Sequence, residues 1–329
     1  MDIVEFRNKD QWNDWIINNS QHHPFTQSWV WGDILLSEGK KVKRFQLVKD
    51  GQVLACGQAV CSNLPMGGQY LFFPKGPILA QNYVDGVIDF LKSFVVKKKI
   101  VFLRIEPEFD SIKTQFQLVN TIDINPRATV VLNLTTTESD LLSDMHHKTR
   151  YNINLAQKKN LVVNLEKNFG SFFELMEDTG KRDGFRLHNH KHYQVIIDSD
   201  ISKQITIYWG NKAVAVGVFV GFGDTFTYLY GASDYTARAL MAPYLVQWEG
   251  IKLGKKLGYK YYDFFGIAPG ARDSSGEYQY NYKHQYAGVT RFKLGFGGDV
   301  KVTHGTVDVV VENKKYKVYK FLRWLRRLL

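Results

Sequence analysis

Cysteine is almost missing from this 329-residue chain, which holds two, Cys56 and Cys61. They stand at an odd separation in one strand-like stretch, so their side chains should point to opposite faces, and neither a disulfide nor a metal pair is expected. Long apolar runs are missing too. No stretch approaches the roughly 20 residues that a bilayer-crossing helix needs. The segment Met1 to Glu5 holds two acids and none of the basic residues of an export leader. These absences lead to the expectation of a cytoplasmic protein. There is no Walker-type phosphate loop. His146 and His147 are adjacent, diverge by about 100° on a helix, and are joined by no cysteine or acidic cluster, so no metal and no cofactor is expected.

What is present in quantity is apolar and basic. Hydrophobic residues make up 44% and aromatic residues 14% of the chain. That is enough for a substantial core, and the length suggests two domains. The formal charge of +11 calls for an anionic partner such as RNA, a nucleotide phosphate or an acidic membrane surface.

One pattern of alternation and turns occurs twice. Lys43 to Val48 and Val53 to Val60 flank Asp50-Gly51, and Gly68 to Phe73, a helix near Tyr83 to Lys97 and Ile100 to Ile105 follow. Gln204 to Trp209 and Ala213 to Val220 flank Gly210-Asn211, and Thr225 to Tyr230, a helix near Pro243 to Leu257 and Tyr261 to Phe265 follow. Such a repeat implies a duplication. The fold class expected is α/β: two tandem acetyltransferase-like (GNAT-like) domains with mixed sheets, residues 1–147 and 148–304. A C-terminal helix, 305–329, is expected to return to the first domain. Between the two, Ser143 to Lys159 predicts a helix on which Arg150, Asn154 and Lys158 share a face suited to phosphate, or merely to solvent.

Eight fragments follow one another in an order that resembles the Fem family of peptidyl transferases. They are Phe25-Thr26-Gln27-Ser28-Trp29-Val30-Trp31-Gly32; Phe73-Pro74-Lys75-Gly76-Pro77; Lys148-Thr149-Arg150-Tyr151-Asn152-Ile153 with Ala156-Gln157-Lys158; Lys181-Arg182-Asp183-Gly184-Phe185 with Tyr193; Tyr228-Leu229-Tyr230-Gly231-Ala232-Ser233; Trp248-Glu249; Tyr262-Asp263-Phe264-Phe265-Gly266; and Thr290-Arg291-Phe292-Lys293-Leu294-Gly295-Phe296-Gly297-Gly298. No sustained heptads mark a coiled-coil arm, so the chain resembles the compact form of the family.

The resemblance implies an enzyme that transfers an amino acid from aminoacyl-tRNA to the third-residue side-chain amine of the peptidoglycan stem peptide. The acceptor would be UDP-MurNAc-pentapeptide or lipid II. The reaction is aminolysis of an ester already activated. A lysine-type amine with a pKa near 10.4 is only about 0.04% neutral at pH 7, equivalent to roughly 4.6 kcal/mol, so some group must take its proton. No Asp, Glu or His base stands out, and the family favours assistance by the substrate.

Lys293 is the candidate catalytic residue, a protonated cation beside the oxygen that turns negative. Its alternative is an exposed strand lysine paired with an acid. Arg182, Arg186, His188 and Tyr193 form a polar cluster suited to diphosphate. Trp31, Tyr230 and Phe292 are candidates to line the substrate cleft or to fill the core. Lys148, Arg150 and Lys158 are candidates for tRNA or phosphate contact. The tail from Lys314 to Leu329 carries seven basic residues and no acid. Its apolar residues Val318, Phe321, Leu322, Leu325, Leu328 and Leu329 recur at helical spacing and must pack on the first lobe or the inner membrane leaflet, the first lobe being favoured. The alternative activity is an acyl-CoA-dependent N-acyltransferase. It would need a glycine-rich pyrophosphate loop, whereas Pro74 and Pro77 remove backbone donors in the first half, and Arg238 to Ala242 has no glycine in the second.

Overall fold

The computed structural model describes residues 2–65, 67–80, 90, 100–108 and 117–328. It forms two compact units, Met1–Arg127 with Thr303–Leu329, and Ala128–Val302. The helix expected near Tyr83 to Lys97 lies outside the described residues apart from the buried Phe90.

The first unit holds β1 (Asp2–Glu5), β2 (Lys41–Lys49), β3 (Gln52–Asn63), β4 (Gln69–Phe73), β5 (Ile78–Leu79), β6 (Ile100–Ile105) and β7 (Gln117–Asn120). The returning strand Val307–Val310 inserts between β6 and β7, so the order is β1-β2-β3-β4-β6-Val307–Val310-β7, with β5 on β3. β4 and β6 pair in parallel along their whole length, Gln69–Phe73 against Ile100–Ile105. All six residues of β6 are buried, as a central strand covered on both faces requires.

Two motifs of this unit prove to be architecture. The Gln27 side chain, fully buried, donates to Pro74 O (2.7 Å) and accepts from Gln58 N (2.7 Å), while Gln58 Nε2 donates to Thr26 O and Ser28 O. A Cβ on Gly76 would stand 2.8 Å from Gln27 Nε2, so glycine is needed there. The Gln-Ser and Pro-Lys-Gly fragments are thus two sides of one buried, satisfied polar network. Trp31, in the helix Trp29–Ser37, is buried edge-on against Phe25 with ring centroids 4.7 Å apart. The core alternative holds for it within this unit.

The unit is closed by an ion pair between neighbouring strands. Arg104 and Asp308 stand opposite each other and meet through two bonds, Nε to Oδ1 at 2.7 Å and Nη2 to Oδ2 at 2.8 Å. The helix Asn313–Leu328 docks on the same pair: Tyr316 Oη donates to Asp308 Oδ2 (2.9 Å), and Tyr319 Oη accepts from Arg104 Nη2 (3.3 Å).

The second unit contains β8 (Ala128–Asn133), β9 (Leu161–Asn164), β10 (Ser202–Trp209), β11 (Lys212–Phe222), β12 (Thr225–Ser233), β13 (Tyr261–Asp263), the hairpin β14 (Gly270–Arg272) and β15 (Tyr278–Tyr280), and β16 (Asp299–Val302). Its main sheet runs β16-β8-β13-β12-β11-β10-β9. Because β8 pairs with β13 and β16, residues 128–147 belong to this unit, and the boundary stands at 127/128 rather than at 147/148. Both units share a hairpin, a third antiparallel strand and a parallel fourth, the repeat read in the sequence.

The second unit departs from the first in two ways. β12 and β13 are paired only over Thr225–Thr227 and Tyr261–Asp263, although β12 continues to Ser233. The two strands therefore separate beyond Asp263. The register of β11 on β12 also shifts between Val218 and Phe219, which face Tyr230 and Tyr228 respectively. Leu229 is the extra residue of a bulge, so Tyr228 and Tyr230 point to opposite faces where unbroken alternation would put them together.

Gly297 and Gly298 (φ 78° and 83°) turn the chain into β16. A Cβ on Gly298 would lie 2.6 Å from Val131 O on β8. Gly298→Ala is expected to cost at least about 1–3 kcal/mol in strain alone, before the clash is counted. Urea unfolding checks this, and a midpoint equal to that of the unsubstituted chain would show that β16 need not approach β8 so closely.

Candidate active site

Lys293 lies in the helix Ala287–Leu294, not in a strand, and is 5% exposed. The alternative of an exposed lysine is thereby corrected. Where β12 and β13 part, its Nζ donates to Phe265 O and Gly266 O, both at 2.7 Å, and stands 5.7 Å from the centre of the Tyr228 ring.

The carbonyls are aimed by an unusual turn. Asp263 Oδ1 accepts from Phe265 N (2.8 Å) and from the Thr129 hydroxyl, fastening a side chain to the backbone two residues on. Phe265 (φ 47°) and Gly266 (φ 88°) are both left-handed, a costly state for phenylalanine that points both oxygens at one position. An ammonium has three protons, and the third has no partner among the described residues. Burial pushes Lys293 down to about 7 from the ordinary lysine value, with Asp263 pulling it back. Desolvation thus loosens the amine's hold on its proton, while the two carbonyls and Asp263 favour the charged form.

The ring beside it is equally enclosed. Burial pushes the Tyr228 phenol far above its ordinary range. Gly231 admits that ring, since a Cβ there would fall 1.6 Å from Tyr228 Oη. Phe292, next to Lys293, packs edge-on against Tyr244 at 4.9 Å and against Phe296 at 5.3 Å, and is a partly buried core residue.

On the other face of β12 the structure gathers a second group. Tyr230 packs edge-on against Tyr193 at 5.1 Å, and its hydroxyl is 2.9 Å from His192 Nε2. His188 stacks near His192 at 4.2 Å, and His188 N donates to Tyr193 Oη at 3.3 Å. His192 is buried and was not singled out in the sequence. His188 precedes the N-cap Asn189 of the helix His190–Asp198 and His192 lies in its first turn, so no helical spacing in the sequence points to the pair.

The expected arginine cluster is dispersed. Arg182 lies in the last turn of the helix Phe169–Asp183 rather than before a helix, and its guanidinium holds both oxygens of Asp183, at 2.6 and 2.7 Å, and Ser233 O. Arg186 is exposed and has no partner among the described residues. Of the expected phosphate face, Arg150 is spent on structure, since its Nη1 donates to Ser143 O (3.1 Å) and Met145 O, capping the helix Glu138–Asp144. Lys148 and Lys158 remain exposed.

The sequence model of the FemAB family matches residues 8–122, 114–200 and 199–323. The chain belongs to the FemAB family. The lipid II:glycine glycyltransferases of Staphylococcus epidermidis and Staphylococcus aureus are 23% and 24% identical to it over 214 residues, 56% of this chain and 51% of theirs. This FemAB chain therefore matches about half the length of those curated relatives. Among solved structures, FemX superposes with a TM-score of 0.78 at 16% identity, covering 97% of this chain and 99% of FemX. A tandem GNAT protein from the clavulanic acid pathway gives 0.50 at 10% identity, covering 94% and 98%. The fold of this FemAB protein is that of tandem GNAT-like domains.

Proposed function

We propose that this FemAB chain is a tRNA-dependent aminoacyltransferase that adds an amino acid to the third-residue side-chain amine of the peptidoglycan stem peptide. The observation that carries the reading is the buried Lys293 ammonium, held by two carbonyls where β12 and β13 part, in a chain matched by the FemAB model through residue 323. The activity for which the staphylococcal relatives are named, transfer of glycine to lipid II, supports the acceptor class.

In this reaction the acceptor amine attacks the ester carbonyl of aminoacyl-tRNA. A C–N bond forms, the ester C–O bond breaks, and the tRNA hydroxyl leaves with a proton. The free N–H of Lys293 would hold the carbonyl oxygen as it becomes negative, an effect worth a few kcal/mol in a dry site. Proton transfer from the amine falls to substrate or water. Lys148 and Lys158 are the remaining cations for tRNA phosphates, and His188, Tyr193 and Tyr230 are read as the acceptor group, with the exposed Arg186, two residues before His188 in the chain, as the cation offered to the acceptor's phosphates.

Arg186→Ala is expected to raise the acceptor KM several-fold with little change in kcat, because it removes a uniform binding contact. An unchanged KM in steady-state kinetics would take Arg186 out of the acceptor site. The activity itself is tested by offering charged tRNA or acetyl-CoA with UDP-MurNAc-pentapeptide or lipid II. Transfer from charged tRNA alone is expected, and transfer from acetyl-CoA would replace the reading with the acyl-CoA one.

A further inference from the structure

The helix Asn313–Leu328 presents its two faces differently from what the sequence suggests. Tyr316, Tyr319 and Arg323, spaced i, i+3, i+7, face the first unit: Tyr316 is buried against Phe102 (5.2 Å) and Tyr319 tilts over Phe102 (4.9 Å). The apolar stripe expected to pack there does not. Val318, Phe321, Leu322 and Leu325, at i, i+3, i+4, i+7, are exposed, Phe321 by 56%. Aromatic residues anchor the helix, and the aliphatic face is left uncovered.

The rim of that stripe is cationic. Lys314, Lys317, Lys320 and Arg326 are exposed around it, and the nearest acid along the chain, Glu312, is paired with Lys315. On the flank between the stripe and the docked face, reached past Trp324, whose ring lies 5.9 Å from that of Phe321, a cavity of about 350 Å³ is lined by Lys320, Arg323, Trp324, Asn120, Thr121 and Ile122. Trp324 (55%) and Ile122 (55%) line it and are exposed, and Ile124, two residues after Ile122 in the chain, is exposed too.

We propose that this face docks on an anionic phospholipid bilayer, the apolar stripe entering the acyl boundary and the Lys320–Arg323 cavity taking a phosphodiester headgroup. An amphipathic helix with aromatic and leucine residues on one face and only cations around them has the chemistry of an interfacial helix. Each cation near an anionic surface adds to the attraction within a Debye length. A second copy of the chain fits poorly, because like-charged rims would meet. RNA would use the cations but has no need of the uncovered Phe321 and Leu325. The proposal does not depend on the activity assigned above.

The test is flotation of the full chain with vesicles of phosphatidylcholine alone or mixed equally with phosphatidylglycerol. Binding is expected to the mixed vesicles only and to weaken as salt rises. Phe321→Ser with Leu325→Ser should lower the partition coefficient about tenfold or more, as should Lys320→Glu with Arg323→Glu. Phe321 and Leu325 lie on the surface, so the thermal midpoint of that double variant should stay near that of the unsubstituted chain; Arg323 bonds Tyr319, so Lys320→Glu alone, at an exposed residue, is measured beside the second double variant and should weaken binding in the same direction with an unchanged midpoint. Absence of binding to mixed vesicles, or unchanged binding of both double variants, would overturn the proposal. So would loss of tRNA binding or of self-association in Phe321→Ser with Leu325→Ser while vesicle binding persists.

Discussion

Lys293→Met is expected to lower kcat by about 10²–10³-fold, the effect of removing one donor from an oxyanion site. The fold should persist. The substitution removes the Lys293 donor from Phe265 O and Gly266 O, a loss on the order of 1 kcal/mol per bond, but also relieves the chain of a desolvated ammonium. The pH dependence separates a catalytic lysine from a structural one. With Lys293 at about 7 when folded and near the ordinary lysine value when unfolded, the unfolded chain binds more protons between those values, so stability rises with pH across that window. Lys293→Met should lack that rise in denaturant midpoints. Catalysis has the opposite sign, because the charged form is lost as pH climbs through about 7, giving kcat/KM a falling limb there that the variant lacks. Turnover within threefold of the unsubstituted enzyme, from a folded variant, would remove Lys293 from the chemistry.

Arg104→Met is expected to destabilise the first unit by about 3–5 kcal/mol, the cost of leaving a buried carboxylate without its partner. Asp308 is fully buried, and Tyr316 is the only other side-chain donor the structure records for it among the described residues. The loss should reach the C-terminal helix, since Tyr316 and Tyr319 both bond to the pair. Hydrogen exchange of amides in Asn313–Leu328 should accelerate together with those of Val307–Val310. A loss below about 1 kcal/mol in urea titration would show that the pair contributes little. Replacing both partners, Arg104→Met with Asp308→Leu, should recover much of the stability, because an apolar pair carries no desolvation debt.

The hairpins were readable because alternation and a Gly-containing turn act over a few residues. Asp50-Gly51 and Gly210-Asn211 stand where β2 turns into β3 and β10 into β11. The helix Ala242–Lys256 was readable for a similar reason: Pro243 stands in its first turn and Gly258 just after it. The helix carrying Lys293 was not, since Gly288, Val289 and Thr290 are poor helix formers held by tertiary contacts. Thr290 is fully buried and accepts from Ala268 N at 2.8 Å, a contact 22 residues distant in sequence.

The sequence by itself determined the duplicated architecture, the family and the identity of the lysine worth testing, because local periodicity and ordered motifs carry that information. Only the tertiary structure decided what each polar group does. It spent Arg150 and Arg182 on neighbours, buried Gln27 in a network and Trp31 in a core, and brought His192 to Tyr230. It also turned Tyr228 and Tyr230 apart by one extra residue and uncovered the stripe at Phe321. The physical reason is that a side chain's partner is set by distance in space, and a single bulge or a 28-residue return of the chain to Lys293 leaves no periodic trace in the sequence.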